Sequence, residues 1–96
     1  MTITKTQNEN ETILKLAGHL NTLTAPSLEA EIGALEACSI TLDLEELLYM
    51  SSAGLRVVLS TQKKMKAPYV LTLKNVNESV MEVLEITGLS DLLNII

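Results

Sequence analysis

The sequence predicts a small α/β domain: a mixed four-stranded sheet with helices mainly on one face, in the order β-β-α-β-α-β-α. Three observations carry that prediction. Residues 12–16, 39–44 and 69–74 alternate apolar and polar side chains with a period of two, the mark of strands with one wet face. Each of these runs is followed by an apolar stripe at helical spacing. Strands joined through helices run parallel, with right-handed crossovers.

The elements follow in order. Residues 1–8 are rich in Thr, with Ile3 between polar neighbours, which suits an edge strand; Asn8-Glu9-Asn10 reads as a turn. Thr12, Leu14 and Leu16 share one side of the second strand, with Lys15 opposite, and residues 18–24 read as a polar loop. Thr24-Ala25-Pro26-Ser27 opens a helix, because proline is tolerated in the first turn, where its missing N–H costs nothing. Leu28, Ile32 and Leu35 continue that helix, and Glu29 and Glu31 near its start suit the macrodipole. Ile40, Leu42 and Leu44 face one way in the third strand, and Glu45-Glu46 reads as a solvated connection. A second helix carries Leu55, Val58, Leu59, Gln62 and Met65 on one stripe, with Lys63, Lys64 and Lys66 at its end and Ala67-Pro68 to stop it. Tyr69, Leu71 and Leu73 form one face of the fourth strand. Residues 75–79 lead into a third helix with the stripe Val80, Val83 and Leu84 and the stop signal Gly88. The apolar tail, residues 89–96, is expected to pack down as a short helix or strand.

A chain of 96 residues suffices for a single domain over 1–96, burying roughly 60–65% of its unfolded surface. With no Trp, no Phe and two Tyr, the core must be built from branched aliphatic side chains, and a base-stacking platform is missing. A formal charge of -5 argues against a nucleic-acid partner, which needs a concentrated positive field. Cys38 is alone, so neither an internal disulfide nor a cysteine–histidine metal cluster is expected. The polar start has no signal-peptide core, and no apolar run reaches the ~20 residues of a membrane span. The expectation is a cytoplasmic binding protein without cofactor or metal, not an enzyme.

Its working surface is expected at Tyr49-Met50-Ser51-Ser52-Ala53-Gly54. In an open sheet of this kind the site lies beyond the carboxyl ends of the strands. The serines stand where unsatisfied N–H groups and the positive end of a helix dipole meet. A hydroxyl here can cap the helix, for ~1 kcal/mol. A phosphate here would be stabilised, and would add about -1.5 to -2 charge to a small area. Gly54 lets the backbone turn sharply or approach a partner closely.

The run Leu42-Asp43-Leu44, then Tyr49-Met50-Ser51-Ser52-Ala53-Gly54-Leu55-Arg56-Val57-Val58-Leu59, resembles the core signature of STAS domains, and above all the stand-alone bacterial anti-sigma factor antagonist. The loop Gly18-His19-Leu20-Asn21-Thr22-Leu23-Thr24-Ala25-Pro26-Ser27-Leu28 is similar to the family's loop before its first helix. Leu73-Lys74-Asn75-Val76 and Val83-Leu84-Glu85-Ile86-Thr87-Gly88-Leu89 are similar to its closing segment. The resemblance implies a STAS-type fold and partner switching in transcription regulation. The unphosphorylated antagonist binds an anti-sigma factor, often a serine kinase of the GHKL ATPase type; phosphorylation releases it, and a serine phosphatase resets it. Setting the family's Asp-Ser-Ser-Gly on Ser51-Ser52-Ala53-Gly54 makes Ser52 the phosphoacceptor, with Ser51 the alternative. Asn21, Thr22, Ser51, Ser52, Ala53, Gly54 and Arg56 are then the expected partner-binding residues. The chain departs from the family at Ser51 and Asn21, each of which stands where the family has Asp.

Two other readings stand beside this one. The domain could bind a partner or a small ligand (a nucleotide or lipid) as a scaffold or sensor, without phosphorylation. It could also be a serine hydrolase, since Met50-Ser51-Ser52-Ala53-Gly54 retains half of a Gly-x-Ser-x-Gly elbow. The only base is His19, in a polar loop with no acidic residue marked to orient it. Asn21 and Thr22 can equally be turn formers, Arg56 a solvated surface arginine, and Cys38 a small buried residue at a strand edge.

Overall fold

Two strands, β1 (Thr2–Gln7) and β2 (Glu11–Leu20), fold back on each other as an antiparallel hairpin in a computed structural model that describes residues 1–96. Asn8 closes the turn by donating its N–H to the Glu11 carbonyl at 2.8 Å. The chain continues through α1 (Ala25–Gly33), β3 (Ser39–Met50), α2 (Ser52–Lys64), β4 (Leu71–Lys74) and α3 (Glu78–Ile86). It ends in one turn of 3-10 helix (Leu89–Asp91) and a two-residue strand, β5 (Asn94–Ile95). The strands lie side by side in sequence order, and all pairs after the first are parallel. No helix is long and apolar enough to cross a membrane.

The sheet therefore has five strands rather than the four expected. The tail does both things foreseen for it, a helical turn and a strand. The outer edge of β4 offers free backbone groups. Asn94 and Ile95 pair with Thr72 and Leu73, and the Ile96 N–H reaches the Leu73 carbonyl at 3.0 Å.

Two strand ends also differ. β2 runs on to Leu20, through the expected polar loop, and β3 runs to Met50, through the expected Glu45-Glu46 connection. Lys15 pairs with Asp43 but Ala17 with Glu46, and Gly18 pairs with Leu47 but His19 with Tyr49. Each shift inserts one extra residue in β3, a β-bulge. Inward positions accordingly run Leu42, Leu44, Leu47, Met50, and the period of two becomes three. Gly18 sits between these shifts with φ +104°, a conformation that glycine adopts without steric cost.

The core lies between the sheet and one layer of helices. Leu14 and Leu16 of β2, Leu42 and Leu44 of β3 and Leu73 of β4 are fully buried. Against them stand Leu28 of α1, Val58 of α2 and Leu84 of α3, also fully buried, in one continuous cluster. Each such side chain contributes about 1.5–3 kcal/mol through burial, so aliphatic groups alone can hold the fold. The other face carries Thr4, Lys15, Asp43 and Lys74 in one row across four strands, and Ile13, Thr41, Thr72 and Asn94 in another. Helices on one face is what the alternating pattern predicted. The stripe of α2 is turned slightly from its expected line: Gly54, Leu55, Val57, Val58 and Thr61 are buried, while Leu59, Gln62 and Met65 are half-buried. Thr61 fits there because its hydroxyl donates to the Val57 carbonyl at 2.8 Å.

Candidate functional site

The carboxyl ends of β2 and β3 finish together. Leu20 pairs with Met50, and the Ser51 N–H donates to the Leu20 carbonyl at 2.8 Å. Two segments far apart in sequence, 21–24 and 51–56, are thereby brought to one pole of the sheet, where the strand ends were expected to place a site.

Asn21 acts as a turn former. Its Oδ1 accepts the Leu23 N–H at 2.9 Å and the Thr24 N–H at 3.2 Å, and its own N–H donates to Thr24 Oγ1 at 2.9 Å. Thr24 Oγ1 in turn donates to the His19 carbonyl at 2.8 Å. This knot holds the loop, so the Asn21 oxygen is occupied inside the protein. Thr22 is exposed, and so is Leu23, at 88%. Leu23 was missed in the sequence, where its only signal was an apolar residue flanked by threonines in a polar loop.

The two serines have opposite surroundings. Ser51 is the N-cap of α2, with φ -89° and ψ 177°, and its carbonyl accepts the Leu55 N–H at 3.0 Å. Its hydroxyl does not cap the helix: Oγ is enclosed and has no hydrogen-bond partner. Ser52, the first helical residue, is exposed. The N–H groups of residues 52–54 thus start the helix without a side-chain cap, at the positive end of its dipole.

Ala53 is half-buried and Gly54 is buried. At Gly54 the structure shows a close approach within the protein itself. A Cβ at Gly54 would lie 2.7 Å from Leu20 Cγ, 2.8 Å from Leu20 Cδ2 and 3.0 Å from Met50 Cγ. The close approach it permits is to the protein's own sheet. Arg56, one turn along, is exposed and has no ion pair; the structure's one salt bridge is Lys15–Glu46 at 3.8 Å.

The pole also exposes apolar surface. Tyr49 is 51% exposed and pairs across the strands with exposed His19, while Leu48 is 66% exposed. The His19 imidazole bonds to neither serine and no carboxylate holds it, so a serine–histidine–acid array is not assembled. Asn77 anchors the third helix at this end. Its Oδ1 caps α3 by accepting the Val80 N–H at 2.9 Å, and its Nδ2 donates to the Leu47 carbonyl at 2.8 Å.

Other features lie away from the serines. Burial works upward on the Asp43 carboxyl, but hydrogen bonds from Asn75 and the Glu45 N–H, with Lys74 and Lys15 nearby, outweigh it and hold the group below its usual range. Asn75 makes its bond to Asp43 at 3.0 Å from a left-handed backbone, φ 58°. At the opposite end of α2, a cavity of about 200 Å³ opens between α1 and α2, walled by Ile32, Leu35, Cys38, Val57 and Met65 with Glu29 and Lys64 among its polar residues. Cys38 is half-buried rather than buried, 3.4 Å from Thr12 Oγ1.

Comparison with known proteins bears on the whole chain. The family model of the STAS domain matches residues 2–96. The "Anti-sigma-B factor antagonist" of Bacillus subtilis is 33% identical over 92 residues, which cover 93% of this chain and 84% of that protein. Among solved structures, an anti-sigma factor antagonist from Mycobacterium paratuberculosis superposes with a TM-score of 0.89 at 21% identity, over 98% of this chain and 83% of the other. The anti-sigma factor antagonist SpoIIAA in its unphosphorylated form gives 0.83 at 20% identity, over 99% and 88%. At such identities the structural matches speak for the fold.

Proposed function

The chain belongs to the STAS domain family, and from that premise we propose that it is an anti-sigma factor antagonist. It binds an anti-sigma factor with the pole formed by residues 21–24 and the start of α2, and it is released when Ser52 is phosphorylated. The partner is itself the kinase, of the GHKL ATPase type, and a serine phosphatase reverses the step. One observation carries the choice of residue: Ser52 is exposed at an uncapped helix start, whereas the Ser51 hydroxyl is enclosed. An in-line attack on a nucleotide phosphate needs the attacking oxygen in the open. In that step the Ser52 Oγ forms a bond to the γ-phosphorus, its proton leaves to a base, and ADP departs.

The switch is electrostatic. Exposed Leu23 and Tyr49 supply apolar contact beside an uncharged serine pair. A phosphoryl group places about -1.5 to -2 charge in the middle of that surface. Desolvating such a charge against a partner without a matching cation costs several kcal/mol. SpoIIAA, with the same fold, is known in unphosphorylated and phosphorylated forms, which is consistent with a surface that tolerates both.

The test is to incubate the protein with ATP and its cognate anti-sigma factor, map phosphate by mass spectrometry, and measure binding of Ser52→Asp and Ser52→Ala. Phosphate on Ser52, weakened binding for the aspartate and retained binding for the alanine are expected. Phosphate on Ser51 alone, or equal affinity of the two variants, would sink the assignment. The cavity at the far end of α2 favours a second reading, a small-ligand sensor. A thermal-shift screen of small apolar compounds that leaves the melting temperature unchanged removes it.

A further inference from the structure

Arg56 has a second task at this pole. We propose that it is the internal counter-charge for a phosphoryl group on Ser52, folding over the first turn of α2 once that group is attached; this rests on Ser52 being the acceptor. Ser52 and Arg56 are four residues apart in one continuous helix, and both are exposed. Side chains at that spacing lie one above the other on the same face. A helical side chain covers the turn N-terminal to its own Cα, so a guanidinium at position 56 leans toward Ser52 rather than away from it. The rise between the two is about 6 Å, within reach of an arginine. Arg56 makes no hydrogen bond or salt bridge within the protein that would have to be broken first.

Few charges stand close to this pair in the neighbouring segments. Residues 20–28, which include the neighbouring loop and the start of α1, carry no charge. The other titratable groups toward this end are the Met1 amine beside Gly18, His19 of β2, Glu46 and Tyr49 of β3 and Glu78 at the start of α3. Lys63 and Lys64 stand nearly two turns or more beyond Arg56. A fork of N–H donors matches a phosphate in two bonds, which a lysine would not. Phosphorylation then does two things at once: it adds an anion to the docking surface, and it draws the cation of the helix's first turns away from any acidic group of the partner.

The test uses the full chain with phosphoserine incorporated genetically at position 52, so no kinase is needed. The phosphate is titrated by phosphorus NMR in the wild-type background and in Arg56→Gln and Arg56→Lys. The helix dipole acts equally in all three, so differences report the side chain alone. The second ionisation should fall roughly 0.3 pH unit lower with arginine than with glutamine, the size expected for a helix pair of this spacing, with lysine between. The gap should close in 1 M salt, where screening acts within about 3 Å. Identical curves for arginine and glutamine at low salt would overturn the pairing. Kinase assays on unmodified protein answer the separate question of whether Ser52 is the acceptor, so the two claims can fail independently.

Discussion

Gly54→Ala tests how tightly α2 is seated on the sheet. The added methyl would meet Leu20 Cγ at 2.7 Å and Cδ2 at 2.8 Å, with Met50 Cγ at 3.0 Å. Relief requires a shift of several tenths of an ångström, and Leu20 and Met50 are 0% and 2% exposed, so neither has free space to move into. Overpacking of this kind costs about 1–3 kcal/mol. Alanine recovers about 0.5–1 kcal/mol of helix propensity. The net expectation is a loss of about 1–2 kcal/mol. In urea denaturation, with a slope near 1 kcal/mol per molar, the midpoint should fall by roughly 1–2 M while the slope stays constant. In a Leu20→Ala background the same substitution should cost nothing, giving a coupling of about 1 kcal/mol or more. A Gly54→Ala protein more stable than wild type would refute the reasoning, because it would mean that the helix start does not press on the sheet.

Two further outcomes follow from the geometry. Asn77→Ala removes both the α3 cap and the bond to the Leu47 carbonyl, and should cost about 2 kcal/mol in chemical denaturation; Asn77→Asp keeps the cap oxygen and should lose less, equal losses would contradict the cap, and no loss for the aspartate would contradict the second bond. Asp43 titrates below its unfolded value, so its stabilisation is present above the ordinary carboxylate value of about 3.9 and disappears as pH falls through the lower folded value. Asp43→Asn should therefore be less stable than wild type at neutral pH, by under about 1 kcal/mol because the group is largely solvated, and the gap should shrink in stability measurements below about pH 4. A gap that does not change with pH would show that charge is not involved.

Much of this was legible from local pattern. Element order came from the periodicities, and the serine turn was visible because a helical stripe begins directly after it. What escaped needs a neighbour to define it. The bulges of β3 exist only relative to β2, so the three-residue spacing of Leu44, Leu47 and Met50 read as the end of a strand. β5 is two residues long and owes its form to the edge of β4. Gly54 was read as a point of close approach to a partner, but what it lies against is Leu20, 34 residues upstream. Nothing in Ser-Ser distinguishes the enclosed hydroxyl from the open one; the bond from the Ser51 N–H to Leu20 turns one inward and leaves the other outside.

That same fastening has a consequence for timing. The start of α2 is tied to the sheet by the Ser51–Leu20 bond and wedged on Leu20 and Met50. On the proposed reading, a group added at Ser52 meets a fastened platform, so the phosphorylated and unphosphorylated forms would differ in charge and hardly in shape. No element has to melt and reform between them. The response time of such a device is then set by the enzymes that add and remove the group and by the partner's dissociation, while the protein itself contributes no lag.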